Sequence, residues 1–93
     1  MPRLRDKRLA LRLIWRLGDL LASELSSSRG RDFTIGCAEY RALYRRVAAG
    51  SRLRDLTTMA LQRFSSRTVE TPRWSMEIVD SEKPVIRMRV KGS

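Results

Sequence analysis

The chain has 93 residues, with 20 basic side chains against 10 acidic ones, a net charge of +10 and a sequence pI near 11.4. A chain of this size builds one modest core, so residues 1–93 read as a single domain. It has no His and a lone Cys37, which excludes an intrachain disulfide and a zinc centre, since zinc takes about four N or S ligands.

Only Lys7, Lys83 and Lys91 are lysines, leaving 17 arginines. Arginine forks onto phosphate and stacks on bases, whereas lysine acts as a point charge. The excess therefore points to a polyanion: DNA, RNA or an anionic membrane surface. Solubility is the rival reading, but it needs only a modest net charge. No run of about 18 apolar residues occurs, so no transmembrane helix is expected. Arg12 and Arg16 interrupt the leucine-rich stretch, unlike a secretory signal, and Asp6 and Asp19 speak against an organelle transit peptide. A cytoplasmic, nucleoid-associated or nuclear location is expected.

Met1 to Lys7 reads as a short basic arm. The first helix is expected over about 5–26. At 100° per residue, Arg5, Arg8, Arg12, Arg16 and Asp19 share one narrow stripe, while leucines and Ile14 spread over the rest. That apolar sector is wider than the roughly 100° a surface helix needs. Such a helix is wrapped by its own domain on two sides or shared with a second copy, and Trp15 at the sector's edge suits a dimer anchor. Gly18 inside the helix costs about 1 kcal/mol against Ala, and reads either as permitting a close approach of another helix or as simply tolerated. Ser26 to Gly30 reads as a break.

Phe33 and Ile35 alternate with polar neighbours between Arg31 and Gly36, which predicts a brief strand. A second helix is expected over about 37–49, with Tyr40, Leu43, Tyr44 and Val47 inward and Glu39, Arg41, Arg45 and Arg46 outward. Cys37, at its edge with no base beside it, reads as a small hydrophobe. Gly50 suits a C′ position and Ser51 an N-cap, so the next helix follows within two or three residues, the spacing of a helix-turn-helix.

The third helix is expected over about 52–65, with Leu53, Leu56, Thr57, Ala60, Leu61 and Phe64 inward. Its outward face carries Arg52, Arg54, Asp55, Thr58, Met59, Gln62 and Arg63. These types suit base edges in a major groove: Arg to guanine, Gln to adenine, Thr to a thymine methyl. Ser66 to Pro72 reads as a polar connector.

Period-two alternation follows over about 73–91 and predicts a hairpin. Pairing Ile78 with Ile86, Met76 with Met88 and Trp74 with Val90 gathers the apolar residues on one face and sets Glu77 opposite Arg87. The loop is then Ser81 to Lys83, with Pro84 at a strand start. Tyr40, Tyr44 and Trp74 sit on apolar faces and read as core, not as stacking platforms.

The order of helix, strand, helix, tight turn, helix and hairpin gives an α+β, winged-helix-like domain with a long first helix. Ser51 with the amides of Arg52 and Leu53, together with Arg45 and Arg46, forms a candidate phosphate set at the turn. Arg87, Arg89 and Lys91 form another on the hairpin's outer face. Asp80 and Glu82 at its tip favour flanking the DNA backbone over entering the minor groove. Arg5, Arg8, Arg12 and Arg16 are a second basic stripe.

Catalysis has no support: there is no His, no paired carboxylates and no glycine-rich phosphate loop. The expectation is a non-enzymatic DNA-binding protein, a small transcriptional regulator or accessory nucleoprotein factor, dimeric through its first helix. It needs no cofactor, metal, membrane or small-molecule substrate. RNA binding is the first alternative, since Arg-rich helices grip A-form RNA by shape and phosphate. A protein–protein adaptor or inhibitor is the second.

Overall fold

The computed structural model describes residues 6–46, 51–79 and 83–91. Three helices and four strands follow in the order α1 (Lys7–Arg29), β1 (Asp32–Gly36), α2 (Cys37–Arg46), α3 (Ser51–Arg63), β2 (Thr68–Glu70), β3 (Trp74–Val79) and β4 (Val85–Val90). The strands form one antiparallel sheet in the order β1-β4-β3-β2. The domain is therefore α+β with a long first helix, as the pattern predicts.

Asp6 starts α1: its Oδ1 accepts from the amides of Arg8 at 2.9 Å and Leu9 at 3.3 Å, satisfying two donors that a helix N-terminus leaves open. The expected break at Ser26 is corrected, because the helix runs on to Arg29. Ser28 turns its hydroxyl back onto the carbonyl of Leu25, so it solvates the helix without leaving it. The chain stops at Gly30, which takes φ 81° and donates its amide to the carbonyl of Ser26. A side chain is disfavoured at such a φ.

The wide apolar sector of α1 is filled by its own domain. Ala10, Leu13, Ile14, Leu17 and Leu21 are buried, with α3 packed along one flank and the sheet against the other. Leu9 and Trp15 are left as exposed large apolar side chains. The inner sheet face supplies Ile35, Val69, Trp74, Met76, Ile78, Ile86 and Met88, and α2 adds Tyr40, Leu43 and Tyr44. Burial of the two tyrosines and Trp74 agrees with their reading as core.

The hairpin register is the predicted one: Trp74 faces Val90, Met76 Met88, Glu77 Arg87 and Ile78 Ile86. β1 joins on the far side of β4, pairing Phe33 with Met88 and Ile35 with Ile86. The polar connector is corrected, since it contains β2. Val69 is buried opposite Met76. The Thr71 hydroxyl accepts from the amides of Arg73 and Trp74, both at 3.1 Å. That side-chain turn folds β2 back onto β3.

Helix α3 begins at Ser51, so Ser51 is its first residue and not the cap before it, and α3 ends at Arg63 rather than 65. Val47 to Gly50, the hairpin tip with Asp80 and Glu82, and Arg5 lie outside the described residues. The expected tight turn and the expected end of the second helix at 49 fall there too.

Gly18 is where the sheet meets α1. A Cβ built on it would lie 2.1 Å from Cζ2 of Trp74, and Trp74 is fully buried. The Gly18→Ala variant is expected to lose about 1–3 kcal/mol through overpacking, even though Ala favours a helix by about 1 kcal/mol. Urea unfolding of the two proteins measures this.

Candidate nucleic-acid interface

On α3, Arg52, Asp55, Gln62 and Arg63 are exposed and Met59 is half-buried. Leu61 and Phe64 hold the opposite face in the core. At a rise of about 1.5 Å per residue, Arg52 and Arg63 stand some 16 Å apart along the helix axis. The sequence-predicted outward face thus survives as a ridge with a cation near each end.

Two of its expected members are turned aside. Thr58 is half-buried, its hydroxyl 2.7 Å from the Tyr40 hydroxyl and donating to the Arg54 carbonyl at 3.1 Å. Arg54 is itself half-buried. The expectation that Arg41 faces solvent is also corrected. Its guanidinium lies over α3, donating from Nη2 to Asp55 at 3.0 Å and from Nη1 to Thr58 at 3.4 Å. Tyr40 and Arg41 together clamp α2 to α3. A 100° wheel cannot find this contact, because it depends on the angle between two helices.

The carboxylates sort the cations into two populations. On the outer sheet face, Arg87 Nη1 lies 3.4 Å from Glu77 and Arg89 Nε 3.2 Å from Asp32. Lys91 Nζ lies 3.8 Å from Glu70 and donates to the Thr71 carbonyl at 2.8 Å. The trough there, of about 520 Å³, is lined by the Arg87–Glu77 and Arg89–Asp32 pairs together with Phe33, Thr34, Thr68, Ser75 and Met88. All three cations expected on the hairpin thus face an acid. Arg46 Nη2 stands 3.7 Å from Glu24, and Arg29 Nη2 2.6 Å from Glu39.

The helical side differs. Arg8, Arg12 and Arg16 are exposed on α1, as are Arg45 at the end of α2 and Arg52 and Arg63 on α3. Among the described residues none of these six lies in an ion pair. Arg63 also shares a hollow of about 90 Å³ with Lys7, Phe64 and Arg67. Lys7 and Arg67 are outside the sequence-predicted set, because nothing local links residue 7 to residue 67.

Cys37 is half-buried, with its thiol 3.5 Å from the Tyr40 hydroxyl. Among the described residues no group of His, Cys, Asp and Glu is placed to hold a metal ion. No helix there is long and apolar enough to cross a membrane.

In comparisons with known proteins, no family model matches the chain, and no curated protein or solved structure matches it either.

Burial, and then the thiol of Cys37, push the Tyr40 phenol well above its ordinary value, and burial raises Tyr44. A raised folded-state pKa gives stability that is complete below the unfolded value and fades above it. Folding stability is therefore expected to fall as pH climbs past about 10, where unfolded tyrosines ionise and the buried ones keep their protons. Urea unfolding at about pH 8 and about pH 11 measures the fall, and Tyr40→Phe should make it shallower.

Proposed function

We propose that this chain binds duplex DNA and catalyses no reaction, acting as a winged-helix-type regulator or accessory nucleoprotein factor. Helix α3 is its reading element. The observation that carries this is the exposed ridge of α3: hydrogen-bonding side chains between two arginines that no described carboxylate pairs. A major groove about 12 Å wide admits one helix. Set obliquely there, α3 brings Arg52 and Arg63 toward phosphates on the two rims, and Gln62 toward a base edge. Gln pairs most naturally with adenine.

The strand order supports the same reading. A sheet order of β1-β4-β3 after a helix-strand-helix-helix run is compatible with a winged helix to which β2 would be an added edge strand. Arg45 and the α1 row of Arg8, Arg12 and Arg16 supply backbone contacts. Arg87, Arg89 and Lys91 contribute less to affinity, because a phosphate has to displace the carboxylate each already faces. By strand alternation the outer sheet face presents Thr34, Arg87, Ser75 and Glu77. It lacks the aromatic platform on which a sheet stacks single-stranded bases. Pairing of two copies through α1 would draw on Leu9 and Trp15.

With about six phosphate contacts, affinity for duplex DNA should fall roughly a thousandfold between 50 and 200 mM salt. Fluorescence anisotropy on protein freed of nucleic acid measures it, and salt-independent binding defeats the proposal. On a selected site, Gln62→Ala should cost about 1–3 kcal/mol, with little change on random duplex. Equal losses on both would remove Gln62 from base reading. A duplex RNA that outcompetes DNA of equal length would reassign the partner.

A further inference from the structure

Resting on the DNA-binding reading, we propose that Lys7, Arg63 and Arg67 form a phosphate-binding cleft, which holds one backbone phosphodiester beside the C-terminal end of α3. The three side chains come from the first turn of α1, the last turn of α3 and the lead-in to β2, and they line one hollow with Phe64. At about 90 Å³ it has the volume of roughly three waters. That suits a single tetrahedral oxyanion and is far below the 300 Å³ or more of a small-molecule pocket.

The charge is unbalanced. Among the described residues no carboxylate pairs with Lys7, Arg63 or Arg67. The acid nearest in sequence, Asp6, directs its Oδ1 to the amides of Arg8 and Leu9. Three like charges around one hollow repel one another, and an anion placed among them relieves that repulsion. The nearby C-terminal carbonyls of α3 offset only a fraction of a charge. Phe64, 7% exposed, gives the cleft an apolar lining that strengthens each Coulomb contact.

The frame is also fixed. Arg67 donates its amide to the Phe64 carbonyl at 3.0 Å and accepts from the Ile78 amide at 2.9 Å. Ser66, at φ 64°, donates to the Ile78 carbonyl at 2.8 Å. Lys7 opens a capped helix. The cleft therefore sits on backbone tied to the sheet and to α1, as a positioning contact for α3 requires.

The test uses the full chain and the double variant Lys7→Gln, Arg67→Gln, which keeps the aliphatic stems and is checked for folding by circular dichroism. Duplex affinity at about 0.1 M salt should drop about tenfold, alike on selected and random sequence, and the log–log salt slope should become shallower by about 0.9, the loss of one phosphate contact. Separately, inorganic phosphate titrated at constant ionic strength should shift the Phe64 amide and the Arg63 and Arg67 Nε resonances of the unmodified protein, with much smaller shifts of the Phe64 amide and Arg63 Nε in the variant. If the unmodified protein binds DNA and the variant matches it in affinity and slope, the cleft is overturned while the DNA reading stands. If the unmodified protein binds no duplex, that reading falls. The phosphate titration then decides the cleft alone: shifts at these resonances make it a site for a free phosphate group, and their absence overturns it.

Discussion

The indole of Trp74 over Gly18 is the contact on which the arrangement of this domain depends. The sheet reaches α1 through that ring, which is fully buried and edge-on to Trp15 at 6.2 Å between centroids. Its Nε1 donates to Asp19 at 2.9 Å. Burying a side chain of this size is worth roughly 4–6 kcal/mol as an upper figure, a large part of the stability of a small domain. The absence of a side chain at residue 18 allows the approach, and the carboxylate one residue later satisfies the only polar atom of the ring. With the sheet fixed on this flank and α3 on the other, the apolar sector of α1 is occupied, and its arginine row is left facing solvent.

This geometry decides where the net positive charge can act. Each carboxylate on the outer sheet face lies opposite or beside a cation, so that face is charged but nearly balanced. Exposed pairs of this sort add little stability, about 0–1 kcal/mol each. Their larger consequence is for the field, since they offset three cations of the outer sheet face. The helical side has no such compensation along Arg8, Arg12 and Arg16 or at the ends of α3. A chain with the same composition but evenly spread acids would steer a polyanion less well.

Much of this fold was legible before any coordinates. The hairpin register followed from period-two alternation and one cross-strand charge pair, two independent constraints with a single common solution. The burial of Tyr40, Tyr44 and Trp74 followed from their apolar faces. The misreadings share a physical cause. Ser26 to Ser28 have turn-forming side chains, yet Ser28 bonds back to the helix and the left-handed residue at Gly30 sets the end. β2 is three residues long, too short for a period, and exists because Thr71 makes a side-chain turn. Thr58, Arg41, Lys7 and Arg67 owe their roles to contacts between elements distant in sequence, which helical periodicity does not encode.

The clamp between α2 and α3 bears on how the proposed reading helix is built. Asp55 lies on the exposed ridge one turn after Arg52, where a bare carboxylate would repel a nucleic acid. Arg41 crosses from α2 to hold that carboxylate at 3.0 Å, while the Tyr40 and Thr58 hydroxyls meet beneath it. One set of contacts thus joins the two helices and neutralises the one carboxylate of the ridge. What remains along α3 is a positive end at Arg52, a nearly neutral stretch past Asp55 and Met59, and a second positive end at Arg63 with Gln62 beside it. A DNA groove has the complementary profile, with anionic rims on either side of an uncharged floor that carries hydrogen-bonding edges. Release of Asp55 from Arg41 would disturb helix orientation and charge profile together, so under the DNA-binding proposal fold and recognition would be joined at this pair.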